Sequence, residues 1–160
     1  MVSARPGPGD FPVAAPIEVR FRDLDGMGHV NNAVYLTYFE IARAHYWRAL
    51  GESEWPRLRT YVVARAEVDY RSPAALGDDL ICHVRVASFG GRSFTMEYLL
   101  VDRRGGRTIA AARTVQAMFD YEAGASRPLD EKVKESVRRF ERRPIPDRPA
   151  GRGTPGSQMP

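Results

Sequence analysis

Ile17, Val19 and Phe21 alternate with Glu18, Arg20 and Arg22, the period of a half-buried strand. Asp23-Leu24-Asp25-Gly26 interrupts the alternation, because Asp and Gly favour turns. From Val34 the period changes. Val34, Tyr35, Tyr38, Ile41, Ala42, Tyr46, Ala49 and Leu50 recur at helical spacing, with Phe39 and Trp47 beside the stripe and charge confined to Glu40, Arg43 and Arg48. Such a helix is apolar over most of its girth and is expected to be largely buried. Asn31 and Asn32 are placed to cap it and Gly51 to stop it.

Glu52 to Leu58, with Pro56, reads as a connection. Val62, Ala64, Ala66, Val68 and Tyr70 then alternate with Val63, Arg65, Glu67 and Asp69, and alanines on the inner face would let a helix pack close. After a break at Ser72 to Asp78, two further strands follow, Leu80 to Val86 and Phe94 to Leu100, turned at Gly90-Gly91 and Gly105-Gly106. Thr108 to Asp120 reads as a long last strand with Ala110 and Ala112 on one face. A strand, a helix and four strands joined mostly by short turns predict an α+β fold, an antiparallel sheet wrapped around one buried helix.

Leu129, Val133, Val137 and Phe140 predict an amphipathic surface helix, with Pro128 placed to begin it. Residues 1–15, rich in Pro and Gly, read as a flexible leader, and residues 143–160 as a disordered basic tail. The domain is expected over residues 16–142, within a chain of 160.

Composition narrows the function classes. A hydrophobic fraction of 43% permits a core. The single cysteine, Cys82, excludes an internal disulfide framework, and it and three scattered histidines make no metal cluster, so no metal is called for. The net charge of +4 lies mostly after Glu122 with no nucleic-acid motif beside it. No apolar run reaches membrane-spanning length, and the N-terminus lacks a signal-peptide pattern. A cytoplasmic protein without nucleic-acid or membrane partners is expected.

The chemistry concentrates between Asp23 and Tyr35. A helix N-terminus presents free N–H groups that bind an anion or an oxyanion formed in a transition state. Gly28 admits a ligand close to the backbone. Asp25 is a carboxylate able to act as nucleophile or general base, and His29 can hydrogen-bond in the same pocket. The plainer alternatives are an Asx turn for Asp25, a structural histidine, and asparagines serving only as caps.

The run R-F-R-D-L-D-x-x-G-H-V-N-N-x-x-Y-L-x-Y-F-E-x-A-R, Arg20 to Arg43, and R-A-E-V-D-Y-R-S-P-A-x-L-G-D-D, Arg65 to Asp79, resemble hot-dog-fold acyl-CoA thioesterases of the 4-hydroxybenzoyl-CoA thioesterase type. The resemblance covers about Pro16 to Tyr121. It implies a hot-dog fold and hydrolysis of a thioester to acid and thiol, without a cofactor beyond the coenzyme A of the substrate. Asp25 falls on the catalytic carboxylate, Gly28 on the turn glycine, and Asn32 on the residue whose N–H polarises the thioester carbonyl. His29 and Asn31 match the H-V-N-N form. Met27 stands where related plant acyl-carrier thioesterases place an Asn. The resemblance also implies that the hairpin carrying Arg92 and Ser93 contacts coenzyme A, often across a dimer interface, with Arg65 and Arg71 as further phosphate candidates. Tyr35, Tyr38, Phe39 and Val62 would line the acyl pocket or simply fill the core. A homodimer or homotetramer is implied.

Other readings stay open at this level: a carrier-protein thioesterase, a hot-dog hydratase or dehydratase, and a non-catalytic acyl-CoA binder. The D-x-N-P-x-H run of the hydratases is absent.

Overall fold

The computed structural model describes residues 6–51 and 61–148; the connection read over Glu52 to Leu58 lies outside them. The strands are β1 (Val13–Ile17), β2 (Tyr61–Tyr70), β3 (Leu80–Phe89), β4 (Ser93–Asp102), β5 (Arg107–Asp120) and the short β6 (Ala125–Ser126), and the helices are α1 (Val34–Leu50) and α2 (Glu131–Glu141). The five longer strands form one antiparallel sheet in the order β1-β3-β4-β5-β2, with β6 paired to β5. The sheet wraps α1, the hot-dog arrangement.

The core lies between α1 and the inner sheet face. Tyr35, Tyr38, Phe39, Ala42, Tyr46 and Trp47 of α1 are buried against Cys82, Val84, Met96, Tyr98, Leu100, Ile109 and Ala110. Each large side chain removed from water contributes roughly 1.5–3 kcal/mol, so tertiary packing rather than propensity holds this helix. Gly51 ends it at φ 94°, a left-handed conformation suited to glycine. Arg43 departs from the expected polar face. It is buried and donates to the Tyr98 hydroxyl at 3.2 Å.

Four boundaries move from their predicted places. The first strand is Val13–Ile17, partly inside the stretch read as a leader, and Phe11 just before it is also buried. Residues Phe21–Asp23 form a single 3-10 turn, because the Asp23 carboxylate accepts the Arg20 N–H at 3.0 Å and closes the chain locally. Phe21, expected on the inner face, is consequently 81% exposed. The amphipathic helix starts at Glu131, capped by Asp130, whose side chain accepts the Lys132 N–H at 2.8 Å, rather than at Pro128. Residues 143–148, read as tail, dock on the sheet instead. Ile145 is buried, and the Phe89 N–H donates to the Pro146 carbonyl at 3.0 Å.

β2 also differs from expectation. Ala64 and Ala66 are exposed, because α1 packs chiefly against β1 and β3 and leaves this part of β2, an edge strand, uncovered. The outer face carries a ladder of opposite charges: Arg85 of β3 and Arg113 of β5 both donate to Glu97 of β4, at 2.8 and 2.7 Å. Burial alone would raise the Glu97 pKa, but these two guanidiniums hold it below the usual carboxylate range.

Candidate active site

Leu24 to Val30 fold back as a tight hairpin. Leu24 bridges Val30, and the Asp25 N–H donates to the His29 carbonyl at 2.7 Å. At its tip Gly28 takes φ 81°, which a residue with a side chain adopts at a cost. The hairpin is moored to the loop after β2: the Val30 N–H donates to the Ala74 carbonyl at 2.8 Å and His29 bridges Ala75.

The two acids of the D-L-D turn have separate work. Asp23 is buried, 2% exposed. Its carboxylate receives the Arg20 guanidinium at 2.9 Å and the Tyr38 hydroxyl at 2.8 Å. Burial would raise its pKa, but the hydrogen bonds from Arg20, and then Tyr38, hold it lowered. Asp23 therefore ties the turn to α1. Asp25 is half-buried, and only its Oδ1 is engaged, accepting the Met27 N–H at 2.8 Å and the His29 N–H at 3.3 Å. Its Oδ2 has no protein donor among the described residues. The Asx-turn geometry thus coexists with a free carboxylate oxygen.

The segment leading into α1 leaves a donor open. The Asn31 N–H donates to the Asp23 carbonyl at 2.8 Å, and the Asn31 carbonyl accepts the Val34 N–H at 2.9 Å. The Ala33 N–H donates to Asn31 Oδ1 at 2.9 Å. The Asn32 carbonyl accepts the Tyr70 hydroxyl at 2.8 Å. Between the Asn31 and Ala33 N–H groups, the Asn32 N–H alone finds no acceptor among the described residues. The cap position itself is Ala33, which has no capping side chain; the Asn31 carboxamide, just ahead of it, takes over part of that function.

The structure therefore gathers Asp25, Gly28, His29, Asn31 and Asn32 on one hairpin and helix start. The His29 imidazole is exposed and bonds to no protein group among the described residues. Tyr35 lies just behind them, buried, with its ring edge-on to Tyr70 at 5.0 Å. Burial raises the Tyr35 pKa, so it stays a neutral phenol. Three further sequence candidates lie elsewhere. Arg65 pairs with Glu67 on the outer sheet face, beside Glu97 and Arg113. Arg92 donates to the Ser126 carbonyl at 2.6 Å, and Ser93 Oγ accepts from Arg148 at 3.1 Å. Ser93 pairs with Ala117 of β5, whereas Tyr70 pairs with Ala110 of the same strand. At about 3.3 Å per residue these positions stand about 23 Å apart within one chain.

Sequence reasoning missed Asp23, Tyr38 and Tyr70 as site-building residues. The period of β2 did place Tyr70 on the face toward the helix, but not its reach to the helix N-terminus.

Apolar residues ring the hairpin without being covered: Met27 is 79% exposed and Leu76 54%. Among the described residues no group of three His, Cys, Asp or Glu side chains is placed to hold a metal ion, and no helix is long and apolar enough to cross a membrane.

Comparison with known proteins agrees with the geometry. A thioesterase from Thermus thermophilus, solved with coenzyme A and zinc, is 40% identical and superposes with a TM-score of 0.77 over 85% of this chain and 98% of that one. The long-chain acyl-CoA thioesterase FadM of Escherichia coli is 29% identical over 126 residues, 76% of this chain and 93% of FadM. Slr0204 of Synechocystis, a 1,4-dihydroxy-2-naphthoyl-CoA thioesterase, shares the fold at 18% identity, with a TM-score of 0.69 over 78% of this chain and 93% of that one. The family model for the thioesterase-like superfamily matches residues 19–137, which contain the D-L-D hairpin, the open Asn32 amide and the wrapped helix, and the chain belongs to that superfamily.

Proposed function

We propose that this protein hydrolyses acyl-CoA thioesters, with Asp25 and the Asn32 amide as its working parts. The observation that carries the reading is the open Asn32 N–H. Among the described residues it is the one main-chain group from Asn31 to the Ala33 N–H without a partner, and it lies at the helix start just after the hairpin that carries the free oxygen of Asp25. Asn32 is exposed in the single chain, so its N–H is open to a substrate oxygen in place of water.

In the proposed reaction the thioester carbonyl oxygen accepts the Asn32 N–H. Its negative charge grows as the carbonyl carbon becomes tetrahedral. A fixed donor aimed at that oxygen contributes about 10²–10³ in rate. Asp25 Oδ2 either takes a proton from the attacking water or attacks the carbon itself. In the first case hydroxide adds, the C–S bond breaks, and the proton held by Asp25 passes to the departing thiolate. In the second, an acyl-aspartyl anhydride forms as the thiolate leaves, and water then hydrolyses it. Both routes use the same oxygen and draw only on protein groups and water. Gly28 holds the turn, while His29 and Asn31 position the carboxylate and the amide. Tyr35 stands behind the carbonyl as the wall of the acyl side.

The relatives act on long-chain and aromatic acyl groups, so the fold by itself does not select the acyl moiety. Assembly as a homodimer or homotetramer is part of the reading. The free edge of β2 invites pairing, and in this reading Arg65, Arg92 and Ser93 of a neighbouring copy meet the coenzyme A bound at this hairpin.

A thiol-release assay over short, long and aromatic acyl-CoA substrates tests the proposal, with acyl carrier protein thioesters run alongside. Turnover by wild type and a fall of at least about 10²-fold in kcat for folded Asp25→Ala and Asp25→Asn are expected. Asn keeps the turn acceptor and Ala does not, so both must fail if the charge is what matters. Near-wild-type hydrolysis by either folded variant refutes the role of Asp25.

A further inference from the structure

Tyr70 is the last residue of β2, the edge strand, and it is 49% exposed. Its hydroxyl nevertheless donates to the Asn32 carbonyl at 2.8 Å, across 38 residues of sequence. Its ring is fixed by the buried Tyr35, edge to face at 5.0 Å and 81°. Each of the other bonds around Asn32 is local to the hairpin or to the helix start: Asn31 to Asp23, Val34 to Asn31, Ala33 to the Asn31 side chain. Among the described residues Tyr70 alone ties Asn32 to the sheet.

The position of that bond matters. The Asn32 carbonyl and the Asn32 N–H belong to adjacent peptide planes that share one Cα. The Asn32 N–H shares one rigid plane with the Asn31 carbonyl, and that plane turns only by paired changes in the Asn31 ψ and Asn32 φ angles. Anchoring the Asn32 carbonyl restricts that rotation. We propose that Tyr70 is a positioning residue: it aims the Asn32 amide without touching the reacting atoms. The inference rests on the thioesterase reading for its effect on turnover, but the tether itself does not depend on it.

The deciding experiment uses the full chain as wild type, Tyr70→Phe, Tyr70→Ala and Asp25→Asn, with two readouts. The first is steady-state thiol release from an acyl-CoA that the wild type turns over. Tyr70→Phe keeps the ring and its contact with Tyr35 and loses only the hydroxyl. Its kcat is expected to fall about tenfold, less than the loss of a whole oxyanion donor, with KM within about twofold and an unchanged melting temperature. The second readout is the backbone amide NMR spectrum. The Asn32 and Ala33 cross-peaks are expected to shift or broaden in Tyr70→Phe, while those of Met27 and His29 stay in place. An unchanged kcat in folded Tyr70→Phe overturns the proposal, and so does a loss confined to KM, which would make Tyr70 a substrate contact. Undisturbed Asn32 and Ala33 cross-peaks overturn it even if turnover falls. If the wild type hydrolyses no thioester, the thioesterase reading fails and the amide spectrum alone decides the tether.

Discussion

The bond between Asp23 and Tyr38 joins the hairpin to the helix, and its worth can be worked out from its surroundings. Tyr38 is fully buried and Asp23 is 2% exposed, with 2.8 Å between hydroxyl and carboxylate. In Asp23→Ala the Tyr38 hydroxyl is left buried without its acceptor, which costs about 1–3 kcal/mol. The small void left by the carboxylate brings the expected loss to about 3 kcal/mol. Tyr38→Phe removes the donor but leaves Asp23 bonded to Arg20, so its loss is about 1 kcal/mol. In the double variant no buried hydroxyl is stranded. Its loss is expected to fall short of the sum of the two singles by about 1–2 kcal/mol. Urea unfolding of all four proteins at pH 7 measures this. Strict additivity would show that the pair is not coupled and that the turn is held by other contacts. The same bond has a pH signature. Because the Asp23 pKa is lowered in the folded state, its contribution is present above the ordinary carboxylate range and is lost as pH falls through the folded value. Wild-type stability should therefore decline below about pH 4, and Asp23→Asn should decline less steeply over the same interval.

Two further substitutions test the frame around the site. Gly28→Ala meets no atom within 4 Å but must adopt φ 81°, so its cost is backbone strain of about 1 kcal/mol. That corresponds to a fall in Tm of about 3 °C, and thiol release should drop with it because Asp25 hangs from this turn. Glu141 accepts the Tyr46 hydroxyl at 2.9 Å, the Val86 N–H at 2.6 Å and Arg143 Nε at 2.8 Å. Glu141→Ala strands all three donors and should cost about 3 kcal/mol in urea unfolding, with faster amide exchange at Val86; equal exchange in the two proteins would show that α2 and the following segment are held without it.

Much of this molecule is legible in its sequence because the relevant signals are local. Period-two alternation marks β2 through β5, helical spacing marks α1, and Gly51 marks its end. The D-L-D-x-x-G-H-V-N-N run concentrates the chemistry in one stretch of backbone, so Asp25, Gly28, His29, Asn31 and Asn32 could be named together. The errors have local causes as well. The alternation at Ile17 to Phe21 is real, but the Asp23 side chain turns the chain at Arg20 and overrides it.

What only the tertiary structure decides is which groups are left over. Both acids of the turn look alike in sequence. One is buried under Tyr38 and Arg20, and the other keeps an oxygen free, because α1 packs over Asp23 and not over Asp25. The alternation of β2 places Tyr70 on a face but does not say that strand order sets β2 at the sheet edge, beside the helix start. Arg92 and Ser93 lie at the opposite end of the sheet from Tyr70 within one chain, since the antiparallel register holds them far from it. Periodicity reports which way a side chain faces; only the packed sheet determines what it faces.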